Sequence, residues 1–465
     1  MAGICAWGSY LPIHRLPREV VDGQGFGAKC DQVPIANYDE DIVTMAFEAG
    51  LNCMEEYGGK VGHLFLASML PAVQEKQNAV TIGSALGISR ESRTVDFFGS
   101  ARSGVKAVLT ACDVADAGKG PVLVSAANDG NSGTDEEGVS IAGSGGAALV
   151  VGDENVIAEI EYVVSIEEDF PERWRMSGDA MVQVGDKHFT RIEGFPRVME
   201  ELITSVLDRS ALNPSDVEYV LLCSGDRKQR ARVAERVGFK DEQLVPSSLS
   251  KVGDLGAISP MVELIDVLGR AQPGERILFT SYAEGGDAVV LKMTGQRKSR
   301  GKPNRGWQWQ LDNYLPIESY GQYARMTGKI GGKTYKPYSS LAMLQREHTR
   351  DLQFVGTKCE HCGKISFPGK KVCDRCKHVD RLSDFPLARE GTVYTYTHDY
   401  VYSTPTPPLT MAAVDLDGGG RFFGQVTDCN HEEFGIGMDV ELCLRRIHDA
   451  LRLPHYFWKA RPNRA

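Results

Sequence analysis

Four cysteines are spaced for metal chemistry. Residues 359–376 read CEHCGKISFPGKKVCDRC, in which two Cys-x-x-Cys knuckles, Cys359/Cys362 and Cys373/Cys376, are separated by ten residues. A knuckle of this spacing lets two thiolates grip one ion, and four soft thiolates in a tetrahedral array select zinc. With cysteine at all four positions, no coordination place is left open for catalysis, so the expected role of Zn2+ is structural. His361 and His378 read as bystanders. The rival reading is a redox dithiol or an iron site, but a thioredoxin-like knuckle needs a βαβ context that is missing here.

A second stretch is chemically suggestive for what it lacks. Residues 96–104 read DFFGSARSG and lead into VKAVLTACDVADAG. A strand ends, small residues turn, and a helix opens, which is where a thiol-based acyl-transfer enzyme holds its nucleophile. Here the turn offers Ser100 and Ser103 but no cysteine, and a serine nucleophile needs a neighbouring base. A third stretch, SGDRKQRAR, sets Arg227, Lys228 and Arg230 at an expected helix start. Basic side chains and free N–H groups there suit a phosphate. The plainer alternative is a solvated helix face with Arg232 and Glu235 as surface charges.

The elements that must position these residues alternate along the first 293 residues. HLFLAS (63–68), PVLVSAAN (121–128), AALVVG (147–152), EYVLLCS (218–224) and ERILFTSYA (275–283) are short apolar runs between turn residues, as in buried strands. Helical periodicity runs through DEDIVTMAFEAGLNCMEEY, GVKAVLTACDVADA, GFPRVMEELITSVLDRSAL and ISPMVELIDVLGRA, with Asp39 expected to cap the first. Strands alternating with helices imply a layered α/β fold. After Met293 the run GQRKSRGKPNRG has a linker's composition, with Arg297, Lys298, Arg300, Lys302 and Arg305 among Gly, Pro and Ser. WQWQLDNYLPIESYGQYARMTG then predicts one or two short helices. Beyond the cysteine knuckles, GTVYTYTHDYV, LTMAAVDLDGGGRFFGQVTDC and MDVELCLRRI alternate apolar and polar residues between Gly-rich turns, as in a small all-β barrel. The expected boundaries are 1–293, 294–340 (basic linker and docking helices), 341–384 (zinc ribbon) and 385–465 (barrel).

Bulk properties narrow the function classes. A chain of 465 residues is long enough for two or three domains, and its net charge of −10 argues against general nucleic-acid binding. A nucleic-acid-binding barrel would also set its aromatics among dense basic residues, which this one does not. There is no apolar run of about 18 residues, so no membrane span is expected. MAGICAWGSYLPIHRL lacks the pattern of a signal peptide. The eleven cysteines do not form a secreted disulfide framework, so a cytoplasmic setting is expected.

Several separate motifs carry a family resemblance. YDEDIVTMAFEA (38–49), the opening GICAWGSYLPIHRL, DFPERWR with GDKHFTRIEGFPRVM (169–199), GSGGAALVVG (143–152) and GERILFTSYAEGGDAVVL (274–291) resemble hydroxymethylglutaryl-CoA synthases of the thiolase superfamily. The resemblance spans 1–293. It implies a thiolase-like five-layer αβαβα fold, usually dimeric, that binds coenzyme A esters. The remainder resembles the rubredoxin-like zinc ribbon and OB-fold proteins that accompany thiolases. At the positions that match the family's catalytic cysteine, glutamate, histidine and asparagine, this chain has Ala101, Met69, Ser224 and Asp254. Cys223 takes the histidine position under a one-residue shift.

Alanine supplies neither the nucleophile nor the base of acyl-enzyme Claisen chemistry. Cys112 is about 16 Å along the helix from Ala101 and reads as core. Cys223 reads as strand core and is retained as the one displaced-thiol candidate. The resemblance thus implies an accessory subunit that binds acyl-CoA beside a cysteine-bearing thiolase (acyl-CoA acetyltransferase), as a dimer or hetero-oligomer. The enzymatic alternative is aldol-type cleavage without an acyl-enzyme, with Asp254 and Tyr282 as acid/base candidates.

Overall fold

In the computed structural model, which describes residues 2–23, 30–130, 142–179, 181–223, 226–295, 305–330, 340–450 and 453–463, the apolar runs of the first half form one mixed sheet of nine strands. In chain order they are β1 (Gly3–Tyr10), β2 (His63–Ala67), β3 (Arg93–Phe97), β4 (Val122–Asn128), β5 (Gly145–Gly152), β6 (Ala158–Glu167), β7 (Tyr219–Leu221), β8 (Arg276–Ala283) and β9 (Gly285–Met293). The sheet order is β7-β8-β9-β6-β1-β5-β4-β2-β3. The β7/β8, β4/β2 and β2/β3 pairs are parallel and the rest antiparallel. The run expected as a strand over 218–224 is a strand only at Tyr219–Leu221, so Cys223 lies just beyond its end.

Alternating side chains build the layers, because successive strand residues face opposite sides. Ile277, Phe279, Val289 and Leu291 point into one core with α2 (Ser103–Asp116) and α5 (Ser259–Leu268), as do Val122, Val124, Ala147 and Leu149 from the other half-sheet. Leu278, Ala288 and Val290 face the opposite way, onto α3 (Phe195–Ser210) and α4 (Arg227–Val237). On the remaining face, α1 (Ile42–Tyr57) lies on β1, β4 and β5. Ser125 Oγ donates to the Ala46 carbonyl at 2.6 Å, and a Cβ on Gly146 would stand 2.5 Å from the Met45 carbonyl oxygen. The result is a thiolase-like αβαβα stack.

The chain divides into two compact units. One comprises Met1–Ala36, Met45–Thr81 and Ile88–Tyr320; the other comprises Asn37–Thr44, Ile82–Gly87 and Gly321–Ala465. In the second unit, helix α6 (Leu341–Gln353) leads into a small sheet of β10 (Val355–Cys359), β11 (Ile365–Ser366) and β12 (Leu382–Pro386), with β10 central. Five further strands follow: β13 (Glu390–Asp399), β14 (Leu409–Leu416), β15 (Arg421–Gln425), β16 (Asp439–Ala450) and β17 (Leu453–Pro462), in the order β15-β14-β13-β16-β17. A bridge from Val426 to Ala460 brings the two edges together, so the barrel is nearly closed, as an OB fold requires.

The helix start at α1 corrects one expectation. Asp41, not Asp39, caps it, accepting from the N–H groups of Val43 and Thr44 at 2.9 and 3.1 Å. Asp39 is instead paired with Lys459 at 2.8 Å. Among the described residues no helix is long and apolar enough to cross a membrane.

Candidate functional site

The turn between β3 and α2 holds Ala101, half-buried, where the family resemblance placed a thiol. Next to it, Gly99 lines a cavity of about 200 Å3 together with Met69, Asn128, Asp129, Arg173, Trp174 and Asp254. The cavity thus brings together two of the four matched positions, Met69 and Asp254. Ser224, the third, lies outside the described residues. Among the described residues, no cysteine or histidine lines the cavity. Asp254 accepts from the Gly256 N–H at 2.8 Å and lies 3.7 Å from the Arg173 guanidinium. Asn128, at the end of β4, donates to the Gly143 carbonyl at 3.0 Å, which fixes its amide at the cavity wall.

The residue after Ala101 was not singled out from sequence, yet it has the strongest electrostatics of the turn. Arg102 is buried, and its guanidinium meets both carboxylate oxygens of Asp287 at 2.8 and 2.9 Å, Glu167 at 2.9 and 3.1 Å, and the carbonyls of Glu284 and Gly286. Burial pushes the Asp287 carboxyl up, but the hydrogen bonds and charge of Arg102 outweigh it and hold the group below the ordinary carboxylate range. Ser100 Oγ donates to Glu284 at 2.8 Å rather than to an imidazole. The turn is therefore a saturated ion-pair knot. Its one sequence signal is an acidic residue, Asp287, ahead of the apolar run 288–291 of β9.

Thiols elsewhere in this unit are sequestered. Burial, then the charge of Asp116, pushes Cys112 up to about 12. Cys223 donates to Glu263 at 3.6 Å, and burial followed by the Glu263 charge holds its thiol well above the usual range. Glu263, on α5, is itself raised by burial although it accepts from Ser247 Oγ and the Ser248 N–H at 2.8 and 3.0 Å. At the expected phosphate site, the Asp226 carboxylate already caps α4, accepting from Lys228 and Gln229 N–H groups at 2.8 and 3.2 Å. Arg230 turns inward and donates to the Val245 carbonyl, which leaves Arg227 and Lys228 on the surface. Tyr282 donates to Glu172, whose carboxyl is raised by burial.

In the second unit the four knuckle cysteines converge. Cys359, Cys362, Cys373 and Cys376 place their sulfurs within 4.8 Å of one another, with Cys359–Cys376 and Cys362–Cys373 both at 3.6 Å. A tetrahedral zinc with bonds of about 2.3 Å needs sulfurs about 3.8 Å apart, so the set fits that ion. These thiolates would hold it and tie β10 to the loop before β12.

Comparison with known proteins agrees with this architecture. Residues 385–445 match the family model described as the C-terminal OB-fold domain of ChsH2. Over 341 residues the chain is 27% identical to the hydroxymethylglutaryl-CoA synthase of Methanocella arvoryzae, covering 70% of this chain and 98% of that one. The chain is homologous to hydroxymethylglutaryl-CoA synthases. The enzyme of Methanopyrus kandleri is again 27% identical, over 349 residues that cover 70% of this chain and 97% of its own. The synthase-like half also shares the fold of a solved HMG-CoA synthase complexed with CoA (TM-score 0.60, 19% identity, covering 73% of this chain and 95% of that one). It shares it too with 3-oxoacyl-[acyl-carrier-protein] synthase III from Aquifex aeolicus (TM-score 0.56, 20% identity, 63% and 100% covered).

Proposed function

We propose that this chain is the non-acylating half of an acyl-CoA thiolase complex: it binds coenzyme A esters and supplies the zinc-ribbon and OB modules, while a partner thiolase carries the acylated cysteine. The observation that carries this reading is the turn at Ala101. The position holds a methyl group, its neighbour Arg102 is committed to Asp287 and Glu167, and among the described residues the adjoining cavity has neither thiol nor imidazole. An acyl-enzyme needs both a nucleophile and a base to activate it. The similarity to synthases, one of them solved with CoA, supports retained acyl-CoA binding. The test is capture of the tagged protein from its native cells at low salt, with mass spectrometry of what accompanies it. The captured material is then assayed for CoA-dependent cleavage of 3-oxoacyl-CoA. A co-purifying thiolase, with activity only in the mixture, is the expected result; capture of the chain alone overturns the accessory role.

One observation favours a second reading, aldol-type C–C cleavage. Burial raises Glu172 toward neutrality beside the Tyr282 hydroxyl, and a pair of this kind can move a proton without an acyl-enzyme. Cleavage of a 3-hydroxyacyl-CoA to an aldehyde and a shorter acyl-CoA by the isolated protein, lost in Tyr282→Phe, would support it.

A further inference from the structure

The zinc ribbon has more donors than one ion uses. His361 lies inside the first knuckle and His378 two residues after the second. Lys377 adopts a left-handed conformation (φ 62°), and the Cys373 N–H donates to the His378 carbonyl at 3.0 Å, which folds the chain back over the knuckle. The two imidazoles consequently stack, with centroids 3.7 Å apart and planes at 20°. One nitrogen of each imidazole and the Cys376 sulfur lie within 4.8 Å of one another. His378 Nδ1 is shielded from solvent and has no hydrogen-bond partner among the described residues.

We propose that His361, Cys376 and His378 form a second metal site, for a zinc-class ion that shares the Cys376 thiolate with the four-cysteine centre. Two imidazoles and a thiolate are borderline-soft donors, which favour Zn2+ or its late first-row neighbours over Mg2+ or Ca2+. Four thiolates on one Zn2+ leave a net charge of −2, so the centre attracts another cation. A thiolate sulfur bound to one ion keeps lone pairs for a second. Cys376 and His378 are half-exposed and His361 is exposed, so three protein donors leave room for water in the fourth place. The second ion is therefore the exchangeable one, and the four-cysteine ion the permanent one. Neither statement depends on the accessory role proposed above.

The experiment is metal counting on the full-length chain. Metal-free protein is loaded with Zn2+ under reducing conditions, passed through a desalting column, and its zinc is measured by mass spectrometry beside that of the His361→Ala/His378→Ala double variant. The wild type is expected to retain one more ion per chain than the variant. A Co2+ titration guards against a misfolded variant: the first equivalent must give the same tetrathiolate absorption in both proteins, and the second must perturb those bands only in the wild type. Equal zinc content in the two proteins, or a second equivalent of Co2+ that leaves the thiolate bands unchanged in the wild type, overturns the site.

Discussion

Arg102 and Asp287 decide how the turn at Ala101 behaves. The Arg102 side chain is 3% exposed and that of Asp287 is fully buried. Removing one member of a buried pair leaves the other charged without compensation, at a cost of about 3–5 kcal/mol. Arg102→Leu is therefore expected to destabilise the chain by about 3 kcal/mol at neutral pH. Part of the pair's role remains with Lys106, 3.1 Å from Asp287, and with Ser165 and Ser281. The pH dependence has a definite sign. The lowered Asp287 pKa contributes stability above the unfolded carboxylate pKa, and that stability is lost as pH falls through the folded value. The deficit of the variant should shrink as the pH is brought below about 4. Urea midpoints of both proteins from about pH 2 to 7 check this, and a deficit that stays constant to the acid end would show that the pair's charge is not what matters. The family resemblance places a thiol at the position that Ala101 occupies. The ion pair beside it was not legible, because Arg102 finds Asp287 across 185 residues and no local pattern encodes such a pairing.

At the scale of elements, the periodic segments were legible and the short ones were not. Helices α1, α2, α3 and α5 follow their apolar stripes, since a long amphipathic pattern has only one way to bury itself. Strand β7 is shorter than its apolar run, because the chain leaves the sheet after Leu221 and carries Cys223 toward α5. There Glu263 sits on an otherwise apolar helix face, and its partners Ser247, Ser248 and Cys223 come from two other segments. Its raised pKa means that the folded state binds the proton more tightly than the unfolded chain. Stability therefore falls as pH rises from the unfolded glutamate value near 4.3 toward the folded value. Glu263→Gln keeps an oxygen for the two serines and removes the ionisation. The variant should match the wild type near pH 4 and equal or exceed it at pH 7. Thermal melts across that range decide the point, and a variant less stable at pH 7 would show that the carboxylate is charged and useful.

At the scale of the molecule, the signature YDED does work that its family resemblance did not announce. Residues Asn37–Thr44 belong to the same compact unit as the barrel, and their carboxylates are its counter-ions. Arg445, fully buried on β16, is paired with both Glu40 and Asp428. Lys459, on β17, lies 2.8 Å from Asp39, whose second neighbour is the Thr427 hydroxyl at 3.1 Å. Tyr456 donates to Asp41 at 2.8 Å. Burial lowers the Lys459 pKa, but the Asp39 charge more than restores it, so the ammonium stays charged. A barrel cut free at the linker would keep these cations and lose Asp39 and Glu40. A fragment spanning 340–465 is therefore expected to melt below the corresponding transition of the full chain even with its zinc in place. In the full chain the pair can be isolated by a double-mutant cycle. Lys459→Met alone leaves Asp39 buried and unpaired, at an expected cost of about 3–5 kcal/mol. Adding Asp39→Asn removes the stranded charge and should recover most of that loss. Additive effects in the cycle would mean that the two side chains do not stabilise one another, and that the segment 37–44 is held to the barrel by its other contacts.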